Sequence, residues 1–385
     1  MSPDVIVLGA GVTGGAIAWH LARSGAKVAL VDAAGPAAAP SASWASAGGL
    51  RSQGRHAADQ PLTLMAAARW PLLGAELGAD LEESFGGHLH LAETEAEIPV
   101  IEARIAADLA GGLAIERVEP ARIREIAPEI TARALLGAYT QGDGQAHPGR
   151  VARAFAAAAA REGAALRFGQ AARLLPGADG VAGVAFADGS ALKAGTTVVA
   201  AGAWTEALLA PFGLDLPIRA RGLQMLLSDI APRDLLAPTV TAVGRNLSLK
   251  QLRSGAFMMG GRWFARPTGR GLETLPLDAH AAKQWAGAAA ILPRLARHRL
   301  VHQWAGTEAQ SIDGNPFIGR SLPGLYLACG FSNHGFQICP AVGELVARDL
   351  ATGSEPLLAP FATDRIAPDA ARLAAFRAEP ILEVA

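Results

Sequence analysis

Residues 4–32 read DVIVLGAGVTGGAIAWHLARSGAKVALVD, and this stretch decides the fold. An apolar run, Val5–Leu8, ends in Gly9-Ala10-Gly11-Val12-Thr13-Gly14. A helix-compatible segment follows to Ser24, Gly25 breaks it, and a second apolar run over 27–31 ends in Asp32. The order predicts strand, tight turn, helix, strand. Gly9 permits the turn, Gly11 lets the backbone approach a pyrophosphate, and Gly14 lets helix and strand pack closely. The free N–H groups of the helix start, Val12 and Thr13 among them, favour phosphate. Asp32 falls 23 residues after Gly9, where an acid accepts hydrogen bonds from an adenosine ribose. Two flanking strands, a helix start and an acid in place make this a dinucleotide site.

With 385 residues the chain exceeds the roughly 250–300 that one core usually serves, so two domains are expected. No segment reaches the roughly 18 uninterrupted apolar residues that span a bilayer. A net charge of −1 gives no electrostatic footprint for nucleic acid or an anionic membrane. The chain enters its first strand almost at once, which argues against a secretory leader. Its two cysteines, Cys329 and Cys339, read as buried reduced thiols. No metal-ligand cluster is evident, and a cytoplasmic location is expected.

Farther along, Ala33–Ser46 is an Ala/Pro/Ser-rich loop leading into Ser46-Ala47-Gly48-Gly49-Leu50-Arg51. Helical patterns follow at 62–77 and 93–110, with an alternating strand at 87–92 between them. Residues 196–201 form an apolar strand ending in Gly202-Ala203-Trp204, and 218–259 holds several strand-like runs. Strands at 300–304 and 325–329 precede a helix expected to start near Pro340. The predicted class is α/β (α+β overall). A Rossmann-like domain (1–84, 146–216 and 301–385) is interrupted by an inserted, strand-rich antiparallel substrate domain (85–145 and 217–300).

Three separated segments together resemble the D-amino-acid oxidase superfamily of FAD-dependent amine oxidoreductases. That superfamily includes glycine oxidase, sarcosine oxidase β-subunits, dimethylglycine dehydrogenase and proline or hydroxyproline dehydrogenases. The segments are the N-terminal fingerprint with Gly48-Gly49; Val198-Val199-Ala200-Ala201-Gly202-Ala203-Trp204; and a C-terminal set. That set comprises Trp304-Ala305-Gly306, Asp313-Gly314-Asn315-Pro316-Phe317-Ile318-Gly319 and Gly330-Phe331-Ser332-Asn333-His334-Gly335-Phe336-Gln337. The resemblance implies FAD contacts at the fingerprint residues and Asp32, at Ala47, Gly48, Gly49 and Leu50, and at Ala172. It implies further contacts at Ala201, Gly202 and Trp204, and at Gly330 and Asn333 through Gln337. His334 is also a candidate catalytic residue. Backbone N–H groups of this last loop are expected to stabilise negative charge on the reduced flavin.

Two departures narrow the expectation. Where dimethylglycine dehydrogenase-like members carry a flavin-linking histidine in Trp-His-Ala-Ala-Gly, this chain has Trp44-Ala45-Ser46-Ala47-Gly48, so the FAD is expected to be noncovalent. Where glycine oxidase-like members carry a carboxylate-clamping arginine after Trp-Ala-Gly-x, this chain has Glu308. A guanidinium is the best carboxylate anchor and a glutamate repels an anion. Arg51, after the glycine pair, and Arg262 are the candidate replacements, with Glu308 itself at the substrate position. Lys250 reads as a surface lysine, and His56 and His302 as ordinary polar contacts.

The implied activity is oxidation of a small amine, amino acid or imino acid by hydride transfer from the α-carbon to flavin N5, giving an imine. Oxygen, a quinone or a partner subunit would accept the electrons. A β-type subunit of a heteromeric dehydrogenase and a non-catalytic flavoprotein assembly factor are the alternatives, and an oligomer is possible.

Overall fold

The computed structural model describes residues 2–378. Val5–Leu8 lies inside a six-stranded sheet. From edge to edge its strands are Phe317–Arg320, Leu325–Cys329, Thr196–Val199, Val5–Leu8, Val28–Asp32 and Ala165–Phe168. Neighbours are parallel except the edge pair Phe317–Arg320 with Leu325–Cys329. The inner strands are apolar at nearly every position because both faces are covered. Val5, Val7, Val28 and Leu30 pack with helices Val12–Arg23, Pro148–Arg161 and Gly335–Thr352. Ile6, Leu8, Ala29 and Val31 face a three-stranded meander of Ala172–Pro176, Val181–Phe186 and Ala191–Lys193.

The strand, turn and helix read from residues 4–32 are present as Val5–Leu8, Val12–Arg23 and Val28–Asp32. Gly9 has φ +112°, and a Cβ there would stand 2.4 Å from the Ala200 carbonyl oxygen, so only glycine fits the turn. A Cβ on Gly14 would stand 1.9 Å from the Gly9 carbonyl oxygen, which is why helix and strand can lie so close.

A second sheet has eight strands. Their order is Leu300–Ser311, Ile218–Ile230, Ala256–Gly260, Ser248–Gln251, Thr239–Ala242, His88–Ala92, Leu136–Thr140 and Glu116–Val118. Only Thr239–Ala242 with His88–Ala92 is parallel, in the register His88↔Thr239 and His90↔Thr241. Leu89, Leu91, Val240, Leu249 and Met259 form its buried face against Ala281, Ala288 and Ile291 of helix Asp278–Ile291. The alternate side chains, including His88, His90, Thr239, Thr241 and Ser248, line a cleft shared with the first sheet.

Three expectations need correction. The boundary drawn at 300/301 falls inside a structural unit. Leu300–Ser311 is one continuous edge strand of the eight-stranded sheet, paired from Ile218↔Ser311 to Leu227↔His302. The strand passes Gly306 unbroken because the missing side chain admits Ala45, whose Cβ would be 2.3 Å from a Cβ on Gly306. The C-terminal helix starts at Gly335, so Pro340 lies within it and not at its first turn. The missing N–H there forfeits one bond, to the carbonyl four residues back. Lys250, read as a surface residue, is 2 % exposed, because the polar side of its strand faces the protein interior and not solvent.

Candidate functional site

The cleft has a volume of about 830 Å³ and takes residues from both sheets. At one end the start of helix Val12–Arg23 opens onto it. The N-cap is Gly11, which supplies no capping side chain, and the first turn carries no acid. Val12 N–H donates to the Ser43 hydroxyl at 3.1 Å, placing a second phosphate-compatible group beside the helix start. The Val12 N–H, expected to be free, is thus taken by Ser43. The remaining first-turn N–H groups at this positive helix end, with the nearby hydroxyl, suit a diphosphate. Asp32 lines the same end. Its Oδ2 accepts from Ala10 N (2.7 Å), and its Oδ1 accepts from Ala34 N and Gly35 N (both 2.8 Å). Oδ2 keeps an acceptor site for a ribose hydroxyl. These residues fit the ADP half of FAD.

Of the residues expected at the cofactor, Gly9, Gly11, Val12, Thr13, Asp32, Ala47 and Gly49 line the cleft. So do Ala201, Gly202, Trp204, Gly330, Asn333, His334, Gly335 and Phe336. Five others lie off it. Gly14 packs against Gly9, and a Cβ on Gly48 would meet the Ala146 carbonyl oxygen at 2.0 Å. Leu50 is 3 % exposed within the hydrophobic core. Ala172 pairs with Phe186 in the meander and packs against the apolar face there. Gln337 is turned away by its place on the helix: its amide Nε2 donates to Thr63 O (3.1 Å), while its own carbonyl accepts from Trp70 Nε1 (2.7 Å).

A charged cluster forms another part of the cleft wall. Arg51 and Arg55 both line it, with Arg104, Asp108, Asp143 and Asp59 alongside. Burial, then the Arg104 charge, lowers the Arg51 guanidinium to about 10, with Asp143 and Asp108 opposing. Burial, then Arg51, lowers Arg55 to about 9. Both stay charged at neutral pH. Among the described residues, no group accepts a hydrogen bond from the Arg51 guanidinium, whose backbone carbonyl is instead held by Arg55. Asp143 Oδ2 accepts from Ser52 N (2.8 Å), and both Asp108 oxygens accept from Gly54 N (3.1 and 3.0 Å), fixing the loop between the two arginines.

The imidazoles of His88 and His90 converge on one hydroxyl: His88 Nε2 is 2.9 Å and His90 Nδ1 2.7 Å from Thr241 Oγ1. Burial is the main cause holding both below the usual histidine range, His90 at about 3, with the Arg51 and Arg104 charges acting the same way. Lys250 lies in the same sheet, opposite Met258, and burial alone pushes its amine down to about 7.

Glu308 and Arg262 both line the cleft, Arg262 exposed and Glu308 buried. The Glu308 carboxylate accepts from Asn333 N (3.0 Å) and Gln310 Nε2 (2.9 Å). Burial raises it to about 7 against the pull of those donors and of Arg262. His334 stands at the start of helix Gly335–Thr352, with Nδ1 3.0 Å from Asp59 Oδ2. His56, 3.5 Å from Asn315 Nδ2, is exposed, and His302 stacks on Trp304 with ring centroids 5.4 Å apart. Neither histidine lines the cleft.

Sequence reasoning missed Ser43, Arg55, Asp59, Thr241 and the His88/His90 pair. Only the last carried a local signal: alternate histidines in Gly87-His88-Leu89-His90-Leu91 share one face of a strand.

A family model described as "DAO: FAD dependent oxidoreductase" matches residues 4–348. The glycine oxidase of Bacillus licheniformis is 30% identical over 368 residues, covering 91% of this chain and 93% of that protein. The sarcosine oxidase subunit beta of Arthrobacter sp. is 27% identical over 379 residues, covering 94% and 91%. The crystal structure of L-proline dehydrogenase from P. horikoshii superposes with a TM-score of 0.85 at 26% identity, covering 93% and 96% of the two chains. The chain belongs to the DAO family of FAD-dependent oxidoreductases. Within it, this is an FAD-dependent amine or amino-acid oxidoreductase. No helix of the described residues is long and apolar enough to cross a membrane, and no group of metal-ligating side chains occurs among them.

Proposed function

We propose that the chain oxidises a small amino or imino acid by removing hydride from its α-carbon, with Arg51 as carboxylate anchor and the eight-stranded sheet as the substrate-facing wall. The carrying observation is the Arg51 guanidinium, which lines the cleft and has no hydrogen-bond acceptor among the described residues. Planar donors of this kind match a carboxylate in two-point geometry. FAD, when bound, supplies the two-electron acceptor. The fingerprint turn, the start of helix Val12–Arg23, Ser43 and Asp32 would hold its ADP half. The loop from Gly330 to Phe336 would flank the ring. The sheet's apolar and hydroxyl side chains orient the C–H bond and keep water away.

Glu308 is compatible with an anionic substrate. Both of its oxygens are engaged within the chain, and a carboxyl raised to about 7 carries only part of its charge near neutrality. The FAD is expected to be noncovalent. Ala45, which lines the cleft, has no nucleophilic group to bond a flavin, and neither cysteine lines the cleft.

Likeness to a sarcosine oxidase subunit beta supports a second reading, in which the same site works within a heteromeric enzyme. Anaerobic mixing of the FAD-loaded chain with a panel of amino and imino acids tests the proposal. Bleaching of the flavin band by at least one of them is expected; no bleaching by any would refute it. Admitting air then distinguishes an oxidase, which recolours quickly, from a dehydrogenase that needs a quinone or partner subunit.

A further inference from the structure

Asp59 precedes helix Gln60–Leu77 at the position where an aspartate normally accepts from a free N–H of the first turn. It makes no such bond. Its carboxylate turns instead to His334, which itself stands at the start of helix Gly335–Thr352 and likewise gives no cap. Oδ2 of Asp59 lies 3.0 Å from His334 Nδ1, the Asp59 residue is fully buried, and Oδ1 has no partner. Two further bonds between these helices hold the pair in place: Gln337 Nε2 to Thr63 O, and Trp70 Nε1 to Gln337 O.

We propose that Asp59 is a positioning residue. It holds neutral His334 with its proton on Nδ1, so that Nε2 presents a lone pair to the cleft and takes the proton of the substrate ammonium. An ionised carboxylate only accepts, so the shared proton sits on the imidazole nitrogen it faces. His334 lines the cleft, which leaves Nε2 for the incoming group. The charged groups around it are Arg55 and Arg51, which disfavour an imidazolium, and Asp59, which favours it. Glu308 adds a carboxyl through the neighbouring Asn333 N–H.

Before substrate arrives the imidazole is therefore neutral, held at about 4 chiefly by burial and then by Arg55. This step rests on the proposed Arg51 anchor: a carboxylate docked there offsets one guanidinium and makes His334 a better base when the ammonium is present. One N–H bond of the ammonium breaks, one Nε2–H bond forms, and the nitrogen lone pair that hydride loss requires is exposed. The proton afterwards leaves through the cleft to solvent.

The test has two arms, both on the FAD-loaded chain. Nitrogen-15 NMR of labelled histidines, with His334 assigned by His334→Gln, reads the tautomer without any substrate. Nδ1–H is expected in the natural protein, with Nε2–H becoming populated in Asp59→Asn; Nε2–H in the natural protein overturns the proposal. The second arm is the pH profile of anaerobic flavin reduction. Asp59→Asn is expected to slow reduction about tenfold or more at neutral pH. The rate should recover at alkaline pH, where the free amine needs no base, with substrate affinity little changed. An equal loss at every pH marks a structural role only and overturns it. Should no amine reduce the natural protein, the functional reading falls, and the tautomer still decides the Asp59–His334 claim.

Discussion

Arg55 donates from Nε at 3.0 Å and from Nη2 at 2.6 Å to the backbone carbonyl oxygen of Arg51. One guanidinium thus fixes the turn that presents the other. The two cations also repel: Arg51 is the second-largest cause lowering Arg55, after burial. Placing like charges together inside a protein is unfavourable unless an anion joins them. Asp59, Asp108 and Asp143 offset part of that repulsion, and a substrate carboxylate would offset more.

Loss of the Arg51 donors should weaken substrate binding. A charge-assisted hydrogen bond contributes roughly 1.5–3 kcal/mol, or about ten- to a hundredfold in affinity. Arg51→Ala should raise the apparent substrate constant for a carboxylate-bearing amine by about that factor, with FAD content unchanged. Arg51→Lys should recover only part, because a point charge lacks the planar fork. Steady-state or anaerobic titration reads this; unaltered kinetics in Arg51→Ala would remove Arg51 from the site.

The glycines of the fingerprint should separate by role. A Cβ on Gly14 would fall 1.9 Å from a backbone oxygen, whereas one on Gly11 would fall 2.9 Å from the movable Ser43 hydroxyl. Gly14→Ala is expected to destabilise the fold by several kcal/mol, on the order of other overpacked core sites or more. Gly11→Ala should fold with a near-natural melting temperature but retain less FAD after gel filtration. A Gly11→Ala protein that keeps its full flavin content would show that the diphosphate does not approach there.

The N-terminal strand, turn and helix that open onto the cleft were legible because their signals are local. Glycines, a helix start and a terminal acid lie within one stretch, and each constrains the next. The bonding of Asp32 was not: its oxygens accept from Ala10, Ala34 and Gly35, partners fixed by the turn conformations around it. Lys250 looked solvent-facing because alternation in Ser248-Leu249-Lys250-Gln251 marks a polar side, but alternation does not say whether that side meets water. His88 and Asp143, or Asp59 and His334, come together only through the tertiary fold, so no spacing announces them. Gln337 was assigned by its place in a motif, yet the helix turns it toward Thr63.

Glu308 should make stability depend on pH. Its folded value, about 7, lies above the ordinary 4.5. The stabilising contribution is therefore complete below about pH 4.5 and lost as pH rises through about 7. Glu308→Gln carries no charge at any pH. It should melt near the natural protein at pH 4.5 and above it at pH 8.5, by up to roughly 2–3 kcal/mol in stability. Thermal melts at the two pH values read the difference; a variant less stable at alkaline pH would show that the ionised carboxylate is favourably held.

Noncovalent flavin predicts a simple partition. Acid precipitation should release the yellow cofactor to the supernatant, since alanine at position 45 offers no atom to which a flavin could be linked. Flavin retained in the washed pellet would contradict this.

The carboxylate anchor is tested most directly by anaerobic titration with matched substrates, an amino acid that reduces the flavin and the carboxamide of the same compound. The acid should reduce the flavin at about tenfold or more lower concentration than its amide, and the gap should close in Arg51→Ala. Equal behaviour of acid and amide in the natural protein, or a gap that survives Arg51→Ala, would contradict the assignment of Arg51 as the group that holds the substrate.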